Sequence, residues 1–191
     1  MSNNCCYEMK IKGKETNVKE FLTIMQYKHP KEIHFARIFS AEILNEYNDK
    51  NNQYIAEVAG DCAWSVYFCM FTGFATYYTD ACKKIPTLSN IPKESKRLNL
   101  DIEIYSTEPG MCFAEHYLVK NGNIEIDETT HYERHYYESV DPLTIYDPSE
   151  EEIKNFNEWK KEWNLPDDLT LDQLDDNDCV EIGGFNERYH I

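Results

Sequence analysis

The sequence predicts an α+β fold: a predominantly antiparallel sheet with helices packed on one face, followed by an acidic helical C-terminal extension. Three observations carry this reading. Apolar residues recur at alternate positions in several stretches of the first 137 residues, the period of a half-buried strand. Between those stretches lie segments with the i, i+3, i+4, i+7 spacing of an amphipathic helix. Beyond them the charge changes: residues 138–191 hold 16 acidic and 4 basic side chains, against 19 and 15 in residues 1–137. The expected organisation is one domain over 1–137 and an acidic extension, 138–191, packed on or next to it.

The first segment, CYEMKIKGK (6–14), places Tyr7, Met9 and Ile11 on one face and reads as a strand ending near Gly13. Asn17 and Glu20 have capping-box spacing, and Val18, Phe21, Leu22 and Met25 follow the helical period, so a helix is expected over 17–27. Residues 32–47 satisfy both periods in part and stay undecided. NDKNNQ (48–53) is a polar loop or turn. Residues 54–59 and 63–71 read as two strands separated by Gly60-Asp61. FATYYTDACKKI (74–85) has helical spacing and stops before Pro86, and Pro92 opens a short helix in PKESKRL. LDIEIYS (100–106) alternates again. MCFAEHYLVK (111–120), the Asn121-Gly122 turn and residues 123–137 complete a hairpin. Strand–helix–strand–strand–helix–strand with an added hairpin fits the ferredoxin-like topology.

In the extension, Asp147, Pro148 and Glu150 mark a helix start, and Ile153, Phe156, Trp159 and Trp163 form its apolar stripe. Pro166 ends it. Thr170 and Gln173 form another capping-box pair, and CVEI (179–182) reads as a last short strand.

Composition bounds the function. The chain has 191 residues, 41% apolar and 14% aromatic, enough for one sizeable core. Its polar start lacks the pattern of a signal peptide, and its longest apolar run, AWSVYFCMF (63–71), is half a membrane span. Seven cysteines are an odd number without a Cys-x-x-Cys pair, which favours reduced thiols and a soluble, cytoplasmic protein. The formal charge of −16 repels nucleic-acid phosphate and favours a basic protein surface as partner.

Two motifs suggest chemistry. In EPGMCFAEHY (108–117) a thiol, an imidazole and carboxylates lie close in sequence. With a strand rise of about 3.3 Å per residue, Cys112 and His116 stand about 13 Å apart, too far for a nucleophile–base pair. Glu115 and His116 point to opposite faces, and Pro109-Gly110 is turn chemistry, with Pro fixing one φ and Gly permitting a positive one. The second motif, His131, Glu133 and His135, projects alternate residues from one strand face and offers zinc-ligand types. No phosphate-binding glycine loop, nucleophile elbow or dinucleotide fingerprint is present, so the expectation is a non-enzymatic protein with no cofactor.

Three stretches together, NCCYEMKIKG, the central CAWS, and LDIEIYSTEPGMCFAEHYLVKNGNI, resemble the YubB-type ferredoxin-like domain family of bacterial plasmids and phages over roughly residues 4–127. Its most specific piece is EPGM followed by the Phe113-Ala114 strand. Cys112 and Glu115 stand where that family's pattern has a small acid and a Gly, and the AWS stretch lacks the prolines that follow it there. The resemblance implies a mobile-element origin and brings no catalytic residues. Joined to the charge, it leads to an acidic inhibitor that occupies a basic nucleic-acid channel of a host defence protein, an anti-CRISPR-like nucleic-acid mimic. Its contact residues would be Glu150, Glu151, Glu152, Asp167, Asp168, Asp172, Asp175, Asp176 and Asp178. Two alternatives stand beside it: an interaction or assembly module whose charge only serves solubility, and a metal-dependent enzyme using His131, Glu133 and His135.

Overall fold

The computed structural model describes residues 4–72, 87–137, 148–171, 174, 179–183 and 189–191. In chain order the elements are β1 (Asn4–Gly13), α1 (Glu15–Met25), β2 (Ile38–Asn48), β3 (Tyr54–Ala63), α2 (Ile91–Leu98), β4 (Asp101–Glu108), β5 (Phe113–Lys120), β6 (Asn123–Tyr136), α3 (Glu150–Glu162) and β7 (Cys179–Gly183). They belong to an α+β protein with two compact units, Met1–His131 with Gly184–Ile191, and Tyr132–Gly183. Residues 189–191, which lie beyond the charge boundary at 137, therefore group with the first unit.

The first unit is built on an antiparallel sheet in the order β2-β3-β1-β4-β5-β6. β3 pairs antiparallel with both β1 and β2, so the two strands flanking α1 run the same way with β3 inserted between them. β1 pairs on its other side with β4, and β4, β5 and β6 follow as a meander. The period-2 pattern decides which face is covered. Tyr7, Met9 and Ile11 of β1, Val58 of β3, Ile102 and Ile104 of β4 and Tyr117 and Val119 of β5 are all buried in one core with Phe21, Ile24 and Met25 of α1. Each large apolar side chain fully buried there contributes roughly 1.5–3 kcal/mol. The Asn121-Gly122 turn joining β5 to β6 has positive φ at both residues, 46° and 85°, as a two-residue hairpin of this twist requires.

Several boundaries differ from the sequence reading. α1 starts at Glu15 without a side-chain cap. Asn17, read as a cap, lies inside the helix, and its amide donates to Leu98 O at 2.7 Å, tying α1 to the end of α2. Glu20 is taken by Arg97, which also grips Glu94, each at 2.6 Å. The undecided segment 32–47 resolves into the start of β2 at Ile38, an edge strand that leaves Phe39 and Leu44 exposed. Gly60-Asp61 is no turn: β3 runs through both. A Cβ at Gly60 would come within 2.2 Å of Ser40 O and 2.6 Å of the Tyr7 hydroxyl, so glycine serves a close approach between β2 and β3. Beyond Ala63 the expected strand is instead a π-helical turn, Tyr67–Phe71, that directs Cys69 and Met70 into the core. The helix expected over 74–85 lies outside the described residues. α2 is capped by Asn90, whose side chain accepts from Lys93 N at 2.9 Å, with Pro92 in its first turn.

In the second unit the end of β6, from Tyr132 to Tyr136, pairs antiparallel with β7. α3 is capped by Ser149, which accepts from Glu152 N at 3.2 Å, two residues later than the sequence suggested. Its Phe156 packs with Tyr137, Leu165, Leu169 and Leu171, and the half-buried Trp159 joins them, while Ile153 and Trp163 of the expected stripe stay exposed. Lys160 donates to the carbonyls of Asp167 and Leu169 at 2.9 and 2.8 Å and holds the turn after the helix. Of the Thr170–Gln173 pair, Gln173 is outside the described residues. Among the described residues no helix is long and apolar enough to cross a membrane.

Candidate functional site

The β4–β5 hairpin carries buried carboxylates on both of its faces. The register pairs Glu108 with Phe113 at the turn, and hence Tyr105 with His116 and Glu103 with Leu118. Glu103, Tyr105 and His116 therefore share the face opposite the core, with Glu103 diagonal to His116. Glu103 is fully buried. Its Oε1 lies 3.0 Å from His116 Nε2 and 2.6 Å from His190 Nδ1, and the His190 backbone N–H donates to Oε2 at 2.5 Å. An ionised carboxylate can only accept, so the protons in this arrangement sit on His116 Nε2 and His190 Nδ1. Burial pushes the Glu103 carboxyl up, but the hydrogen bonds from His190 and His116 outweigh it and hold the group below the usual range.

Aromatic packing fixes the rings. His116 stacks on Tyr105 at 4.1 Å between centroids, and His190 stacks on His116 at 5.7 Å. Tyr189 meets Tyr105 edge-on at 5.3 Å and lies under the Lys10 ammonium, 4.4 Å from its ring centroid. His116 Nδ1 stands 3.9 Å from Glu128 of β6. The ligand atoms of Glu103, His116 and His190 all lie within 4.8 Å of one another, two imidazoles and a carboxylate of the kind that hold a divalent cation.

On the core face Glu115 has a different shell. Its Oε2 accepts from Val66 N and from Ser106 Oγ, both at 2.8 Å, and its Oε1 from Tyr67 N at 3.2 Å and the Tyr117 hydroxyl at 3.1 Å. The two backbone donors open the π-helical turn, so this carboxylate pins that turn to β5. Burial pushes Glu115 up despite these four donors. Glu108 closes the hairpin turn by accepting from Gly110 N at 3.2 Å and Met111 N at 2.5 Å. The positive φ in that turn, 51°, falls on Cys112 and not on Gly110 as the sequence reading had it. The Cys112 thiol points to Pro109 O at 3.5 Å, while the His116 ring is engaged by Glu103.

The residues singled out from sequence lie elsewhere. His131 is exposed and belongs to the first unit, beside a groove of about 570 Å³ lined by Trp64, Phe68, Met111, Phe113 and Tyr117. Glu133 and His135 belong to the second unit, where His135 Nε2 approaches Glu133 at 3.4 Å and its ring packs on Trp163 at 5.2 Å. Glu150, Glu151, Asp167 and Asp168 are exposed. Glu152 is buried, which removes it from any surface a partner could meet. Asp172, Asp175, Asp176 and Asp178 lie outside the described residues. The glutamates at 150–152 also occupy the first turn of α3, where the helix dipole favours negative charge.

Glu103 and His190 were missed because their partners are remote in sequence. The turn EPGM, closing on Glu108 and Phe113, carried enough register to place Glu103 and His116 on one face. Nothing in the sequence pointed to His190. No protein-family model matches the chain, and no curated protein or solved structure matches it either.

Proposed function

We propose that the chain is a ferredoxin-like, non-enzymatic binding protein of a phage or other mobile element, akin to the YubB-type family, that acts in the bacterial cytoplasm. It presents carboxylates to a basic protein surface, such as the nucleic-acid channel of a host defence protein, and competes there with nucleic acid. The observation that carries the reading is the −12 formal charge over residues 138–191, with Glu150, Glu151, Asp167 and Asp168 exposed among its described residues. Carboxylates on an ordered surface compete with phosphates for lysine and arginine. The placement of β3 between β1 and β2 and of β4 on the other side of β1 supports the ferredoxin-like assignment.

The test is affinity capture from a bacterial lysate at several salt concentrations, followed by titration of the captured partner with the wild-type chain and with E150Q/E151Q/D167N/D168N. Capture of a nucleic-acid-binding protein that is lost at high salt, with binding weakened on the order of tenfold or more in the variant, supports the proposal. Equal affinity of the two chains at low salt overturns it.

A further inference from the structure

We propose that Glu103, His116 and His190 form a binding site for a divalent transition cation of the zinc type, independent of the acidic surface. The donor set is one carboxylate oxygen and two imidazole nitrogens, the three-ligand pattern that leaves a fourth position open for water or for a partner's side chain. Its geometry is close to what the ion needs. Zinc bonds of about 2.0–2.2 Å in a tetrahedral arrangement separate neighbouring ligand atoms by about 3.3 Å. Glu103 Oε1 already stands 3.0 Å from His116 Nε2 and 2.6 Å from His190 Nδ1. Entry of the ion requires the carboxylate oxygen to move apart by about 0.3 Å from His116 Nε2 and about 0.7 Å from His190 Nδ1. The two imidazole nitrogens, which lie within 4.8 Å of each other, close on the ion, and the half-exposed His190 side chain can supply the larger shift.

The proton balance is met within the two rings. On binding, His116 Nε2 and His190 Nδ1 give up their protons, and each ring takes one on its other nitrogen, so both imidazoles remain neutral. For His116 that nitrogen is Nδ1, which faces Glu128 at 3.9 Å, the outer carboxylate partner that orients metal-binding histidines elsewhere. For His190 it is Nε2, on a side chain that reaches water. Tyr105 stacked on His116 prevents that ring from turning away. The charge also fits: among the described residues, the fully buried Glu103 is met by two imidazoles and one backbone N–H and by no Lys or Arg. A cation would supply the missing positive charge. Its effect on the fold is to lock residues 189–191 onto the outer face of β4 and β5.

The experiment uses the full chain, stripped with a chelator and titrated with zinc by calorimetry, then with cobalt(II) followed by visible absorption. The expected result is one zinc per chain and a rise in thermal midpoint with zinc concentration. Cobalt(II) should give tetrahedral d–d bands without thiolate charge transfer. H116A and H190A should each weaken zinc on the order of a hundredfold or more, and E128Q on the order of tenfold. His190 is the safer probe of folding, since removing it leaves the sheet core intact. Three results would overturn the site: no stoichiometric zinc, zinc affinity unchanged in H190A, or a thiolate charge-transfer band that assigns the ion to cysteines.

Discussion

Glu103 and Glu115 sit on one hairpin, are equally hidden from water, and face opposite sides of the same two strands. What separates them is the kind of donor that meets each. Glu115 is met by two backbone N–H groups and two hydroxyls. The backbone groups cannot turn elsewhere without unmaking the π-helical turn, so this carboxylate is a structural pin. Glu103 is met by one backbone N–H, that of His190, and by two imidazoles, which can exchange a proton for a cation. Burial of a carboxylate therefore says little about its role; the freedom of its donors says more.

The largest expected effect separates the two at once. Glu115→Ala leaves Val66 N without an acceptor inside the core and Tyr67 N without one at its edge, and should cost about 4 kcal/mol, read as a shift of the urea midpoint. Glu103→Ala should cost less, about 2 kcal/mol in chelator, because His190 is half exposed and regains water. Equal losses in the two variants would erase the distinction. Ser106→Ala removes one donor to Glu115 and should cost about 1 kcal/mol, since the other three remain.

The smallest effect is in pH. Glu115 has a folded-state pKa raised by burial, so its protonated form is the one the fold favours. Its contribution is complete below the ordinary glutamate value of about 4.3 and is lost as pH rises through the raised folded value. The stability of wild type relative to E115Q should therefore fall with rising pH across that window. A gap that widens with pH would show Glu115 held ionised by its donors.

The hairpin also shows how far sequence reaches. Alternation in LDIEIYS and the turn chemistry of EPGM placed β4 and β5 correctly, because both signals are local. Gly60 was misread as a turn because glycine marks both turns and close approaches, and only the position of Ser40 and Tyr7 distinguishes them. The run after Ala63 looked like a strand because it is almost continuously apolar, a pattern that a buried strand and a buried helical turn share. A single distant carboxylate, Glu115, makes it a helical turn instead. The acidic surface was legible as charge but not as geometry: Glu152 turns inward although its neighbours do not.

The insertion of β3 between β1 and β2 has a consequence for how the chain assembles. β2–β3, β4–β5 and β5–β6 are neighbours in sequence and can close as local hairpins. β1 cannot: Met9 sits opposite Val58 on one side and Ile104 on the other, so this strand waits for both halves of the sheet. Such long-range pairing slows folding, and the strand that completes it docks late. Met9→Ala should accordingly speed unfolding far more than it slows refolding in a chevron experiment. The strand that both halves of the sheet share would then be the last to find its place.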